Sequence, residues 1–197
     1  ADTPGTVAWA SKADIEVALN AAAAWGAPAK ERGAILNRVA DLYEENYGEI
    51  FALLTREAGK SIPDAVAELR EAVDFLRYYA AHAPEDAPIG TFTCISPWNF
   101  PLAIFTGQIA AALAAGNAVL SKPAEQTPLI AHLAVGLMHK AGVPVTALQL
   151  LPGVGDVGAA LTSDARVGGV AFTGSTETGR VIMKAATENL IPVTLEL

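Results

Sequence analysis

Between residues 91 and 196, five short apolar runs alternate with four stretches of helical periodicity. The runs cover 91–95, 118–121, 147–151, 167–172 and 193–196, and the helical stretches cover 102–115, 128–141, 157–162 and 175–189. That alternation leaves few folds open. A strand that pairs parallel with its predecessor needs a crossover of about a dozen residues, usually a helix. Such crossovers are right-handed and place helices on both faces of the sheet. The pattern therefore predicts an α/β chain built on a doubly wound parallel sheet of about five strands. Ligands of such sheets bind in the crevice outside the carboxyl ends of the strands. Asn99, Lys122, Glu125, Gly153 and Ser175 all fall at those ends.

Residues 11–81 read as helix. Ser11 is placed to cap a helix with Asp14 at its third position, and Ile15, Val17, Ala18, Leu19, Ala22 and Trp25 continue it until Pro28. Residues 30–45 form a second helix with Ile35, Leu36, Val39, Leu42 and Tyr43 on one face, and 47–58 a third, closed by Gly59. Pro63 opens a fourth, which carries Val66, Leu69, Val73, Leu76 and Tyr79 to about residue 81. Trp9 and Trp25 read as core or packing residues. Ala83-Pro84-Glu85-Asp86-Ala87-Pro88 is linker-like. It divides an N-terminal helical segment, 1–83, expected to pack on the rest, from a Rossmann-like domain, 84–197.

Composition excludes several roles. The net charge is -8, with 13 Lys and Arg spread along 197 residues, which argues against a nucleic-acid or anionic-membrane surface. Hydrophobic residues reach 52%, enough for a sizeable core, yet no charge-free apolar run approaches the length of a membrane span. The first residues show no signal-peptide pattern, so a cytoplasmic setting is expected. One cysteine, Cys94, excludes an internal disulfide and a zinc cluster, and His82, His132 and His139 lack metal-ligand spacing, so no metal site is expected.

The chemistry concentrates in four segments. In Pro97-Trp98-Asn99-Phe100-Pro101 two prolines stiffen a strand-to-helix loop and hold one amide, Asn99, where it can donate to an oxygen that becomes negative during a reaction. In Lys122-Pro123-Ala124-Glu125 an acid after the second strand can accept the ribose hydroxyls of an adenosine and repel a 2′-phosphate. The same pair also reads as a surface ion pair beside a turn. Gly153-Val154-Gly155-Asp156-Val157-Gly158 has dinucleotide-fingerprint spacing but follows the third strand, with no acid ending the next, and reads more simply as a strand-to-helix turn. Phe172-Thr173-Gly174-Ser175 opens a helix whose free N–H groups suit an anion, while Ser175 is equally an ordinary cap. Cys94, inside an apolar strand, reads as a small buried hydrophobe and not a nucleophile. Glu196 reads from these residues as a strand-end carboxylate.

Taken together, 95–101, 122–128, 172–175 and 195–197 resemble the aldehyde dehydrogenase superfamily in motif order and spacing. The stretches 71–79 and 94–128, including Phe105-Thr106-Gly107-Gln108-Ile109, are most similar to the aldehyde dehydrogenase half of bifunctional proline-utilisation proteins. The resemblance implies a Rossmann-like NAD-binding domain and an enzyme oxidising L-glutamate γ-semialdehyde to glutamate. It implies that Asn99 is the oxyanion donor and Glu196 the general base. Ile95, Ser96, Trp98 and Thr173 would border the nicotinamide, Lys122 and Glu125 hold the ribose, Gly155 and Gly158 lie near the adenine, and Ser175 contact the pyrophosphate. The superfamily's catalytic cysteine lies beyond the Leu-Glu-Leu motif, so this chain is expected to be the cofactor-binding part, inactive without a catalytic domain. The intact enzyme is expected to be a homo-oligomer acting on a small aldehyde. Residues 83–90 leave little room for the superfamily's oligomer-building hairpin, and 175–197 resemble aldehyde dehydrogenases generally. Another NAD(P)-dependent semialdehyde dehydrogenase, or a dinucleotide-binding assembly module, are the alternative readings.

Overall fold

A computed structural model describes residues 3–197. Four helices come first: α1 (Lys12–Ala21), α2 (Ala29–Glu45), α3 (Tyr47–Ala58) and α4 (Ile62–Ala81). Strands and helices then alternate: β1 (Thr91–Ile95), α5 (Ala103–Ala114), β2 (Ala118–Lys122), α6 (Pro128–Ala141), β3 (Leu148–Leu150), α7 (Gly155–Ser163), β4 (Val167–Thr173), α8 (Thr176–Glu188) and β5 (Val193–Glu196). All strand pairs are parallel, in the order β3-β2-β1-β4-β5.

Local signals explain most helix ends. Ser11 and Asp14 form a reciprocal capping box: Asp14 N–H donates to Ser11 Oγ, and Ser11 N–H donates to the Asp14 carboxylate. Ser61 caps α4 through the N–H of Asp64. Gly59 and Gly142 close α3 and α6 at φ 67 and φ 120, conformations that suit glycine.

One end departs from the sequence reading. The first helix stops at Ala21, not at Pro28. Residues after it run extended, and the N–H groups of Ala23 and Trp25 donate to the carbonyls of Thr146 and Gly116. Those tertiary bonds replace the helical ones, and Trp25 is buried by the change. Of the two expectations for Trp9, its 47% exposure excludes a core position.

Side chains alternate across each strand. Cys94, Val119 and Leu148 point into a large core shared with α2 to α6, whereas Ile95, Leu120, Val170 and Phe172 point into a smaller one shared with α1, α7 and α8. Three charged residues of the helical segment tie it to the crossover helices. Glu57 accepts from the N–H groups of Leu129 and Ile130 at the start of α6, each at 2.8 Å. Glu68 accepts from those of Leu102 and Ala103 at the start of α5. Arg32 donates to the carbonyls of Ala114 at the end of α5, of Ala27 and of Pro84. Each charge opposes the partial charge of the helix end it meets.

Candidate functional site

β1 and β4 are neighbours, yet their crossovers lead to opposite edges of the sheet: β1 continues through α5 to β2, and β4 through α8 to β5. Above their carboxyl ends the connections part, which opens a crevice in sheets of this kind. A cleft of about 810 Å³ lies there. Ile95, Ser96, Trp98 and Asn99 enter it from the end of β1, and Lys122 and Glu125 from the end of β2. Gly155 and Gly158 enter from α7, Thr173 and Ser175 from the end of β4, and Glu196 from the end of β5. All the residues to which the resemblance assigns a site role thus line one cavity, while Gly153 does not.

Lys122 is buried beside it, with Nζ donating to the carbonyl of Pro123 at 3.0 Å. Burial lowers its pKa, while the charges of Glu125 and Asp156 act in the opposite direction. Glu125 is exposed at the rim. The three glycines of the fingerprint differ. A Cβ on Gly153 would collide with Val157, so that position serves packing. Gly155 faces open space, and a Cβ on Gly158 would lie against the stem of Lys122. Both glycines line the cleft, Gly158 against the stem of Lys122 and Gly155 with open space before it.

Ser175 caps α8, accepting from the N–H of Thr178 at 3.2 Å, and stays exposed. Thr173 and Glu196 are register partners on β4 and β5, and the Glu196 carbonyl accepts from the N–H of Gly174. Ser96 Oγ is a buried hydroxyl with no hydrogen-bond partner among the described residues. Asn99 is exposed, and its amide bonds to no other described residue. An amide free in this way is available to an incoming oxygen.

Cys94 lies one residue before Ile95 but faces the large core. It is 1% exposed, and burial pushes its thiol up to about 12. A thiol held protonated away from the cleft is a poor nucleophile. Among the described residues no group of three His, Cys, Asp or Glu is arranged to hold a metal ion, and no helix is long and apolar enough to cross a membrane.

Sequence reasoning passed over Gln108 as a site residue. Its Nε2 donates to the Ile95 carbonyl at 3.2 Å and to Thr173 Oγ1 at 3.0 Å, joining the ends of β1 and β4 across the switch point. Its place on the inner face of α5 gave no local signal of that reach. Gln108, Thr173 and Glu196 also border a second, more apolar hollow of about 630 Å³ between α4, α5 and the strands β1, β4 and β5.

The profile of the aldehyde dehydrogenase family matches residues 1–197. The bifunctional protein PutA of Klebsiella aerogenes is 55% identical over 203 residues, covering 97% of this chain and 16% of PutA. The chain thus spans about one-sixth of that relative's length. The crystal structure of a Bradyrhizobium japonicum proline utilization A mutant superposes with a TM-score of 0.92 at 44% identity, over 96% of this chain and 22% of that one. That of a Staphylococcus aureus betaine aldehyde dehydrogenase mutant in complex with NAD+ superposes at 0.94 with 32% identity, over 100% of this chain and 45% of that one.

Proposed function

The chain belongs to the aldehyde dehydrogenase family, and from that membership we propose that it is the NAD-binding part of an enzyme oxidising L-glutamate γ-semialdehyde to glutamate in proline catabolism. One observation carries the reading: residues drawn from 95 to 196 meet in a single cleft at the switch point of the sheet. The similarity to PutA supports the choice of substrate.

Several features fit a dinucleotide: the unpartnered hydroxyl of Ser96, the open space at Gly155, the carboxylate of Glu125 after β2, and the N-terminus of α8 at Ser175. When bound, NAD supplies the hydride acceptor. Glu125 and Lys122 hold the adenosine ribose, and the Glu125 carboxylate repels a 2′-phosphate. Gly155 and Gly158 give the adenine room, Ser175 contacts the pyrophosphate, and Ile95, Ser96, Trp98 and Thr173 border the nicotinamide. Asn99 donates to the oxyanion of the thiohemiacetal formed on a cysteine of the intact enzyme. Glu196 takes a proton from the water that hydrolyses the thioester. In this reading residues 1–83 are a helical support for the cofactor domain, 84–197. The intact enzyme adds a catalytic domain and assembles as a homo-oligomer.

Calorimetric titration with NAD and NADP tests the assignment. Glu125→Ser is expected to weaken NAD about tenfold or more, because a charged acceptor is lost, and to bring NADP closer to it. Unchanged affinity for both dinucleotides would sink the ribose role. By itself the chain should form no NADH from glutamate γ-semialdehyde, since its one thiol is the buried Cys94. Turnover abolished by Cys94→Ala would overturn that view.

A further inference from the structure

Glu68 lies on α4, outside the cleft, and is 1% exposed. A buried carboxylate costs stability unless it is paired and hydrogen-bonded, and every partner of this one leads to the same place. Its Oε1 accepts from the N–H groups of Leu102 at 2.8 Å and Ala103 at 3.3 Å. Its Oε2 meets Lys60 Nζ at 3.0 Å. Lys60 Nζ in turn lies 4.1 Å from the centroid of the Phe100 ring, within cation–π range. One ion pair from the helical segment therefore grips residues 100, 102 and 103, immediately after Asn99.

Asn99 needs such a grip. Pro97 and Pro101 fix φ only at their own positions, and no hydrogen bond to another described residue holds the Asn99 amide. Its direction is set by the backbone on either side. A plain helix cap would account for the bonds to Leu102 and Ala103, but not for an ammonium held over Phe100, which lies before the helix.

We propose that Glu68, together with Lys60, is a positioning pair that fixes the Asn99 amide in the orientation an oxyanion requires. The inference rests on the reading of Asn99 as the oxyanion donor. Misplacement of a catalytic group by about 1 Å can cost up to about a hundredfold in rate, so the intact dehydrogenase carrying Glu68→Gln should lose about ten- to a hundredfold in kcat. Its Kd for NAD should not change.

The deciding measurement is a double-mutant cycle with Asn99→Ala. If Glu68 acts through Asn99, the double variant is no slower than Asn99→Ala alone. Lys60→Met should behave like Glu68→Gln, and Lys60→Arg should restore most of the rate. It also serves where Glu68→Gln does not fold. Rate losses that multiply in the cycle, or an unchanged kcat in Glu68→Gln, would overturn the positioning role while leaving that of Asn99 intact. An Asn99→Ala enzyme with wild-type kcat would overturn both.

Discussion

On one face of the sheet, Cys94, Val119 and Leu148 run into a core with α2 to α6 that buries Leu36, Tyr43, Phe105 and Leu113. On the other, Ile95, Leu120, Val170 and Phe172 meet only α1, α7 and α8, and the contact stops where the cleft begins. The first face is closed at its helix ends by Glu57, Glu68 and Arg32. The second ends in exposed groups: Asn99, Glu125, Ser175 and Glu196. The first layer packs tightly over β1 to β3, and the second stops short of the strand ends that line the cleft. Cys94 and Lys122 show the contrast at close range. They sit at the ends of neighbouring strands, but the thiol is sealed in the large core while the lysine stem lines the cleft.

Truncation tests whether the two faces differ in strength. Phe105→Ala should destabilise the chain by about 3–5 kcal/mol, because its surroundings are packed on every side and cannot collapse into the space. Ile182→Ala, in α8 beside the cleft, should lie nearer about 2 kcal/mol. Equal losses in urea denaturation would break the distinction.

A smaller effect is expected at the rim of the second face. Ser11→Ala removes one half of the α1 capping box and should cost about 1 kcal/mol. Hydrogen exchange should rise in α1 and leave α2 to α6 unchanged.

The smallest effect concerns the charges that close the large face. Burial raises the pKa of Glu57, against the lowering effect of the two backbone N–H groups it accepts from. A carboxyl whose folded pKa lies above its unfolded value favours folding below the ordinary glutamate range. That contribution is lost as pH rises through the folded pKa. Wild type should therefore lose stability relative to Glu57→Gln over that interval. Parallel urea midpoints for the two chains across it would show that Glu57 is not strained by its burial.

Local chemistry could be read from the chain directly. Ser11 with Asp14 and Ser175 with Thr178 signal helix starts because their partners lie three residues away. Gly59 marks a helix end because it tolerates a positive φ, and Pro128 a helix start because its φ is preset and its missing N–H is not needed there. The alternation of strands and helices implied a parallel sheet, and hence that Asn99, Glu125 and Ser175 would gather at one end of it.

Other features required the tertiary structure. The end of α1 was decided by hydrogen bonds from Ala23 to Thr146 and from Trp25 to Gly116. The strand order, and with it the placement of the cleft between β1 and β4, emerged only from pairing. Nothing local in the sequence sets Glu68, Glu57 and Arg32 apart from the other charges of their helices. Their partners are 34, 72 and 82 residues away, and no periodicity encodes such distances. Sequence determined the elements and the chemical inventory of their ends, because propensity and capping act within a turn or two. Folding decided which buried charges close the helix ends and how the Asn99 loop is held, because those interactions exist only once separate segments have packed.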